Sequence, residues 1–109
     1  MIEGVYAIKP ATMPAVGGSE GLGEVIEVGP GVDNLAPGDW VLPAKPAQGT
    51  WTAMNIWGDQ QVVRVPKTLS PEITATLSVN PCTAFRMLKD FESLEPGDVI
   101  VQNGANSGV

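Results

Sequence analysis

The sequence predicts a mixed β and α/β fold, in which part of a small β-barrel is followed by the first helices and the first strand of a parallel α/β sheet. Three observations predict it. The chain contains 13 glycines and 10 prolines, which favours short strands and turns over a helical bundle. Residues 70–90 carry helix-start signals and apolar residues at helical spacing. Residues 99–101 form a continuous apolar run, as in a parallel strand covered on both faces.

The barrel portion is organised around residues 17–43. Residues 24–28 (EVIEV) include β-branched side chains and are predicted to form a strand. The Gly-Pro-Gly turn at residues 29–31 ends it, because proline cannot continue a β-ladder. A second turn at residues 37–39 leads into a short strand at residues 40–42. Such a pair must bury one face, which predicts a barrel or sandwich around it.

Two further strands are predicted in this portion. Residues 50–57 would place Trp51 and Trp57 on one face by the two-residue period, which we interpret as barrel packing. A turn at Gly58 leads to a strand at residues 61–65.

Two helices follow. Ser70 is a suitable N-cap, Pro71 suits the first helical position, and Glu72 favours the positive end of the helix dipole. These signals predict a helix over residues 71–78. A second helix is predicted over residues 81–90, after Asn80 and Pro81 interrupt the first.

Residues 98–102 are predicted to be a buried parallel strand, and small residues follow it at 103–109. Small side chains directly after such a strand let a pyrophosphate approach the backbone, so they indicate the start of a nucleotide-binding turn. We expect the chain to be a piece of a longer protein: residues 1–69 would be an N-terminally incomplete barrel, and residues 70–109 the truncated start of a cofactor domain.

The composition excludes several classes of function. The net charge is −6 with 6 basic residues and no basic run, which argues against a nucleic-acid surface. The chain has no histidine, which excludes His-based metal sites and Ser-His or Cys-His nucleophiles. Cys82 is the single cysteine, so no internal disulfide forms, and we interpret it as a small packed residue. No apolar run is long enough to span a membrane.

Several stretches carry a family resemblance across essentially the whole chain: MIEGVY, AVGGSEG, LAPGDWVLPA, GTW, VNPCTAFRML and LEPGDVIVQNGANSGV. On these motifs the chain resembles the medium-chain dehydrogenase/reductase superfamily, and within it the mitochondrial trans-2-enoyl thioester reductases. The resemblance implies a GroES-like β-barrel leading into a Rossmann domain. It also implies NADPH as cofactor, an enoyl thioester of coenzyme A or acyl carrier protein as substrate, a homodimeric whole protein and a mitochondrial location.

The resemblance assigns roles to individual residues. Tyr6, which from composition alone is a loop aromatic on the barrel wall, matches the tyrosine that donates a proton to the α-carbon. The residues that match the family's cofactor-binding elements are Asn80, Asn106, Ser107, Gly108 and Val109. Ser19 stands where zinc-dependent relatives place a histidine before glutamate, and the single cysteine cannot replace their four-cysteine run. Both departures imply a metal-free reductase.

Two alternatives remain open. A zinc-free NADPH quinone oxidoreductase of the same superfamily would share the barrel and the cofactor loop. A short product without catalysis, acting as a binding or regulatory partner, would explain a chain that stops within the cofactor loop. We expect the 109-residue chain by itself to be inactive in either case.

Overall fold

The computed structural model describes residue 5, residues 7–10 and residues 12–109. In these residues the strands are β1 (Gly23–Glu24), β2 (Trp40–Pro43) and β3 (Val62–Val65), and the α-helices are α1 (Pro71–Ala75) and α2 (Asn80–Lys89). A short 3-10 helix at Asp59–Gln61 precedes β3. The chain divides into two compact units, Met1–Ala75 and Thr76–Val109. The first unit holds the sheet and α1, and the second holds α2 and the C-terminal loop.

The first unit is built on an antiparallel sheet with the strand order β1-β2-β3. The central strand β2 supplies Val41 and Leu42, which are each 5% exposed and are the buried large apolar side chains among the described residues. Pro43 ends β2, and β-branched residues dominate β3, as their sequences predict. The strands predicted at residues 40–42 and 61–65 are therefore confirmed, with ends shifted by one residue.

One polar cluster crosses the three strands. The Glu24 carboxylate on β1 accepts a hydrogen bond from Trp40 Nε1 on β2 at 3.3 Å. Lys67, just after β3, forms an ion pair with the same carboxylate at 3.4 Å. The Lys67 ammonium also lies 5.4 Å from the centroid of the Trp40 ring, within cation–π range. This cluster ties the sheet together on its solvent side.

The strand predicted over residues 24–28 is wrong in its extent, because β1 comprises Gly23–Glu24 alone. Val25 still exchanges backbone hydrogen bonds with the turn, donating to Asp39 O at 2.9 Å and accepting from Gly38 N at 2.7 Å. Beyond Val25, no backbone partner within the described residues meets residues 26–28. Strand composition therefore extends farther along the chain than strand pairing does.

The strand predicted over residues 50–57 is not formed. Side chains take the backbone bonds that a ladder would use: Thr52 Oγ1 donates to Met54 O at 2.9 Å, and Asn55 Nδ2 donates to Gly49 O at 3.1 Å. Threonine and asparagine offer the backbone such local alternatives to regular structure. Trp57 Nε1 likewise donates to a loop carbonyl, that of Gln48, at 3.3 Å.

The beginning of that segment pairs instead with the glycine-rich bend. Trp51 N donates to Gly17 O at 2.9 Å, and Gly49 N donates to Gly18 O at 3.1 Å. The Trp51 indole lies against both glycines, because a Cβ on Gly17 would be 2.8 Å from its Cε3 and a Cβ on Gly18 would be 2.6 Å from its Cδ1. The indole is 76% exposed, so the prediction that Trp51 packs inside the barrel is wrong.

Helix α1 begins where the sequence predicts and ends earlier than predicted, at Ala75. The Ser70 hydroxyl accepts a hydrogen bond from Ile73 N at 3.4 Å, as an N-cap does. The backbone N–H of Glu72, with a further contribution from the Ser70 hydroxyl, lowers the pKa of the Glu72 carboxyl below its ordinary value of 4.5. Thr74, buried at 1% exposure, donates through its hydroxyl to Ser70 O at 2.9 Å.

In the second unit, α2 confirms the predicted second helix, with its bounds one residue earlier at each end. Pro81 lies in its first turn, where the missing N–H costs nothing. Arg86 forms an ion pair with Asp90, one turn later along the helix, and basic residues favour this end of the helix dipole.

The strand predicted over residues 98–102 is not formed either. Val99 and Val101 are 89% and 93% exposed, so the run is apolar but not buried. A parallel strand exists only when a neighbouring strand takes up its backbone groups. Among the described residues no strand pairs with this run.

Candidate cofactor site

The second unit places Asn80 at the first residue of α2. The turn that starts the helix is closed by Thr83, whose backbone N–H and hydroxyl both donate to Val79 O, at 2.8 Å and 2.7 Å. Proline at position 81 fixes the backbone angle of that turn. The Asn80 side chain is half-buried, and no hydrogen bond involves its carboxamide within the described part of the chain. The amide is therefore free to meet a ligand with both donors and its acceptor.

The C-terminal loop has a defined turn. Ser107 N donates to Gly104 O at 2.9 Å, and Gly104 adopts a φ of +63°, which favours glycine. The Ser107 hydroxyl accepts a hydrogen bond from Val109 N at 3.3 Å, the contact that an N-cap residue makes. In the described structure, the backbone N–H groups of Asn106 and Gly108 have no acceptor.

The structure brings Asn80 and the loop together at Gly108. A Cβ built on Gly108 would lie 2.6 Å from Asn80 Nδ2 and 3.4 Å from its Cγ. The carboxamide therefore rests directly on the loop backbone at this glycine. Two elements far apart in the sequence form one small polar surface of amide, hydroxyl and backbone N–H groups.

This surface has a definite chemical preference. Residues 101–109 carry no ionisable side chain, so their polar groups are neutral. Free backbone N–H groups beside a serine hydroxyl suit the oxygens of a phosphate, which backbone donors bind without a basic side chain. A carboxamide suits another amide or a hydroxyl group. The residues present therefore fit a phosphate-bearing cofactor such as a dinucleotide.

The remaining sequence-predicted residues lie elsewhere. Tyr6 is outside the described residues, so its role stays a prediction. Cys82 is exposed, which overturns its interpretation as a packed residue. The Ser19 hydroxyl accepts a hydrogen bond from Ala47 N at 3.1 Å and so has a structural partner. Sequence reasoning missed the contact between Asn80 and Gly108, and no spacing pattern signals it, because it arises from tertiary placement.

Two further properties concern the described residues as a whole. Within them, no three His, Cys, Asp or Glu side chains converge as metal ligands would. Among the same residues, no helix is both long and apolar enough to cross a bilayer.

The antiparallel sheet with its glycine-rich bend is the barrel portion of a GroES-like fold, and the residues that form the polar surface at Asn80 and Gly108 come after it in the chain. The chain belongs to the alcohol dehydrogenase GroES-like domain family, whose sequence profile matches residues 1–75. The predicted partial GroES-like fold is thereby confirmed.

The chain is similar over its whole length to mitochondrial enoyl-[acyl-carrier-protein] reductases. The Bos taurus protein is 52% identical over 109 residues, which is 100% of this chain and 29% of that protein. The Arabidopsis thaliana protein is 49% identical over 97% of this chain and 28% of that protein. The resemblance predicted from the sequence motifs is confirmed.

Solved structures of enoyl thioester reductases are similar to this chain as well. An Etr1p/NADP/crotonyl-CoA complex matches with a TM-score of 0.80 and 37% identity, covering 88% of this chain and 32% of that chain. The mitochondrial 2-enoyl thioester reductase Etr1p/Etr2p heterodimer from Candida tropicalis matches with a TM-score of 0.82 and 37% identity, over 88% of this chain and 32% of that chain. The chain thus spans less than a third of the length of these relatives.

Proposed function

We propose that the whole protein to which this chain belongs is an NADPH-dependent reductase of trans-2-enoyl thioesters that acts in mitochondrial fatty acid synthesis. The observation that carries the proposal is the 52% identity, over all 109 residues, with a mitochondrial enoyl-[acyl-carrier-protein] reductase. A structural relative, the complex of Etr1p with NADP and crotonyl-CoA, supports the cofactor and the substrate class.

The cofactor would be held in part by the loop and by the first residue of α2. Backbone N–H groups of the loop and the Ser107 hydroxyl would meet phosphate oxygens, and the Asn80 carboxamide would meet a polar group of the dinucleotide. The loop residues in this set are Asn106, Ser107, Gly108 and Val109. When bound, NADPH supplies a hydride to the β-carbon of the enoyl thioester.

Tyr6 is proposed to supply the proton that the α-carbon needs to complete the reduction. A phenol has a reference pKa of about 10, so it is protonated at neutral pH and donates without special tuning. The chain contains no histidine and a single tyrosine, so Tyr6 is the one phenolic acid that these 109 residues offer.

The substrate would be carried on coenzyme A or on acyl carrier protein, and the whole protein would work as a homodimer in mitochondria. The names of the relatives support the carrier protein and the location. A relative described as a heterodimer of two reductase chains supports dimeric assembly. We also propose that residues 1–69 belong to the barrel and residues 70–109 begin the cofactor domain.

The test is an assay of the whole protein with crotonyl-CoA and NADPH, with NADH and a quinone as the alternative reductant and acceptor. We expect oxidation of NADPH with crotonyl-CoA, and quinone reduction without enoyl reduction would overturn the proposal. Tyr6→Phe removes only the hydroxyl, so it is the matched variant for the proton donor. We expect it to lower kcat about 100-fold or more, the usual scale for general acid catalysis. Wild-type kcat in this variant would remove Tyr6 from the mechanism.

A further inference from the structure

We propose that Gly108 is a positioning residue: the Asn80 carboxamide occupies the space of its missing side chain, and this contact aims Asn80 and the C-terminal loop at the same cofactor. The inference rests on the proposed function for the identity of that cofactor. The contact itself is independent of it.

The space that a side chain on Gly108 would need is already filled. A Cβ there would meet Asn80 Nδ2 at 2.6 Å and Asn80 Cγ at 3.4 Å, and real Cβ atoms essentially never approach another heavy atom as closely as the first distance. The third of the three nearest heavy atoms, at 3.9 Å, is Asn80 Oδ1. Any side chain at 108 would therefore displace the Asn80 carboxamide.

The backbone conformation of Gly108 does not require a glycine. Gly108 does not adopt a left-handed φ, so an L-residue fits its backbone without strain. Gly104 in the same loop shows the opposite case, since its φ is +63° and a Cβ there would meet nothing within 4 Å. Gly104 is needed for its backbone conformation, whereas Gly108 is needed for the space that Asn80 fills.

Asn80 and the loop present their polar groups together. Within the described residues Asn80 makes no side-chain hydrogen bond, and the Gly108 backbone is a contact that limits where its amide can lie. An amide held against the loop keeps a constant distance from the free N–H groups of Asn106 and Gly108. A dinucleotide can then meet all of these donors at once without first ordering them, which is the advantage of a preorganised site.

The contact also predicts how a substitution would act. Asn80 Nδ2 is the far end of a side chain that can rotate, so Gly108→Ala should leave the fold intact and turn the amide away. The loss then appears in cofactor affinity and not in stability. If Gly108 had only a structural role, Gly108→Ala would lower the stability and leave the cofactor affinity of the folded protein unchanged.

The experiment is a double-mutant cycle in the whole protein, with the NADPH dissociation constant and the melting temperature as readouts. Gly108→Ala is expected to weaken NADPH binding about tenfold, within the range for contacting residues, with little change in melting temperature. In an Asn80→Ala background the same substitution should weaken binding less than about twofold. In an Asn80→Asp background, where the side chain keeps its shape, the full loss should return. Gly29→Ala is the matched control, because a Cβ there meets nothing within 4 Å and φ is not left-handed.

Equal losses from Gly108→Ala with and without the Asn80 side chain would overturn the inference, because the glycine would then serve the approach of the ligand to the backbone. If the wild-type protein does not bind NADPH, the proposed function fails, and the contact is still tested by NMR on the 109-residue chain. The side-chain amide resonances of Asn80 should shift in Gly108→Ala and stay unchanged in Gly29→Ala. Unchanged Asn80 resonances in Gly108→Ala would overturn the inference by themselves.

Discussion

Replacing Gly18 by alanine should be among the most damaging single-methyl changes in the first unit. Gly18 has a φ of +103°, a conformation that costs an L-residue about 1–3 kcal/mol. Its new Cβ would also lie 2.6 Å from Trp51 Cδ1 and 2.8 Å from the Trp51 backbone N, and it would clash with Thr50 Oγ1. A backbone atom cannot rotate away, so overpacking adds about 1–3 kcal/mol.

Two other glycines separate these contributions. Gly31 has a φ of +81° with nothing near its Cβ position, so Gly31→Ala isolates the conformational cost. Gly29→Ala has neither strain nor clash and should change the free energy of unfolding by less than about 1 kcal/mol. Urea unfolding of the three variants, followed by circular dichroism, measures the series. We expect Gly18→Ala to be about 1–3 kcal/mol less stable than Gly31→Ala. Equal stability of these two variants would refute the steric argument.

Three further predictions concern the first unit. The lowered pKa of Glu72 means that its ionised form stabilises α1 above pH 4.5 and that this contribution is lost as the pH falls through the lower folded-state pKa. Ser70→Ala should therefore raise the pKa of Glu72, as an NMR titration of its carboxyl carbon would measure. Ser19→Ala should cost about 0.5–1.5 kcal/mol in urea unfolding, because Ala47 N loses its 3.1 Å acceptor. Lys67→Met should cost less than about 1 kcal/mol, because both groups of its ion pair are about half exposed.

Ser93→Ala is the control for both serine variants, because the Ser93 side chain is exposed and makes no hydrogen bond with the described residues. An unchanged Glu72 titration in Ser70→Ala would contradict the contribution of the Ser70 hydroxyl to the lowered pKa of Glu72. A Ser19→Ala chain as stable as the Ser93→Ala control would contradict the role of its hydroxyl. A loss for Lys67→Met that persists in high salt would mean that packing on Trp40, and not charge, holds that lysine in place.

The sequence was sufficient wherever local chemistry decides the structure. Proline at position 43 ended β2, and serine at position 70 capped α1, because turn and cap residues act through their immediate neighbours. The sequence was not sufficient where a structure depends on a pairing partner elsewhere in the chain. The apolar run at residues 99–101 matches a buried strand, yet a strand requires a neighbour that composition does not name. Residues 50–57 alternate as a strand should, but threonine and asparagine side chains captured the backbone instead.

In the candidate site, too, local motifs were predictable from the sequence and the contact between distant residues was not. The family resemblance identified Asn80 and the loop residues separately, because each lies in a recognisable motif. Their meeting at Gly108 depends on how the chain folds back after α2, which no local pattern encodes. The glycine itself looked like an ordinary member of a small-residue loop.

The sparse burial in the first unit has a thermal consequence. Val41 and Leu42 are the large apolar side chains withdrawn from water among the described residues, while backbone hydrogen bonds and the Glu24–Trp40–Lys67 cluster connect the strands. The increase in heat capacity on unfolding comes mainly from apolar surface that becomes exposed to water. Calorimetry of the 109-residue chain should therefore record a shallow, broad endotherm with a small increment, and its stability curve should be flat across ambient temperatures.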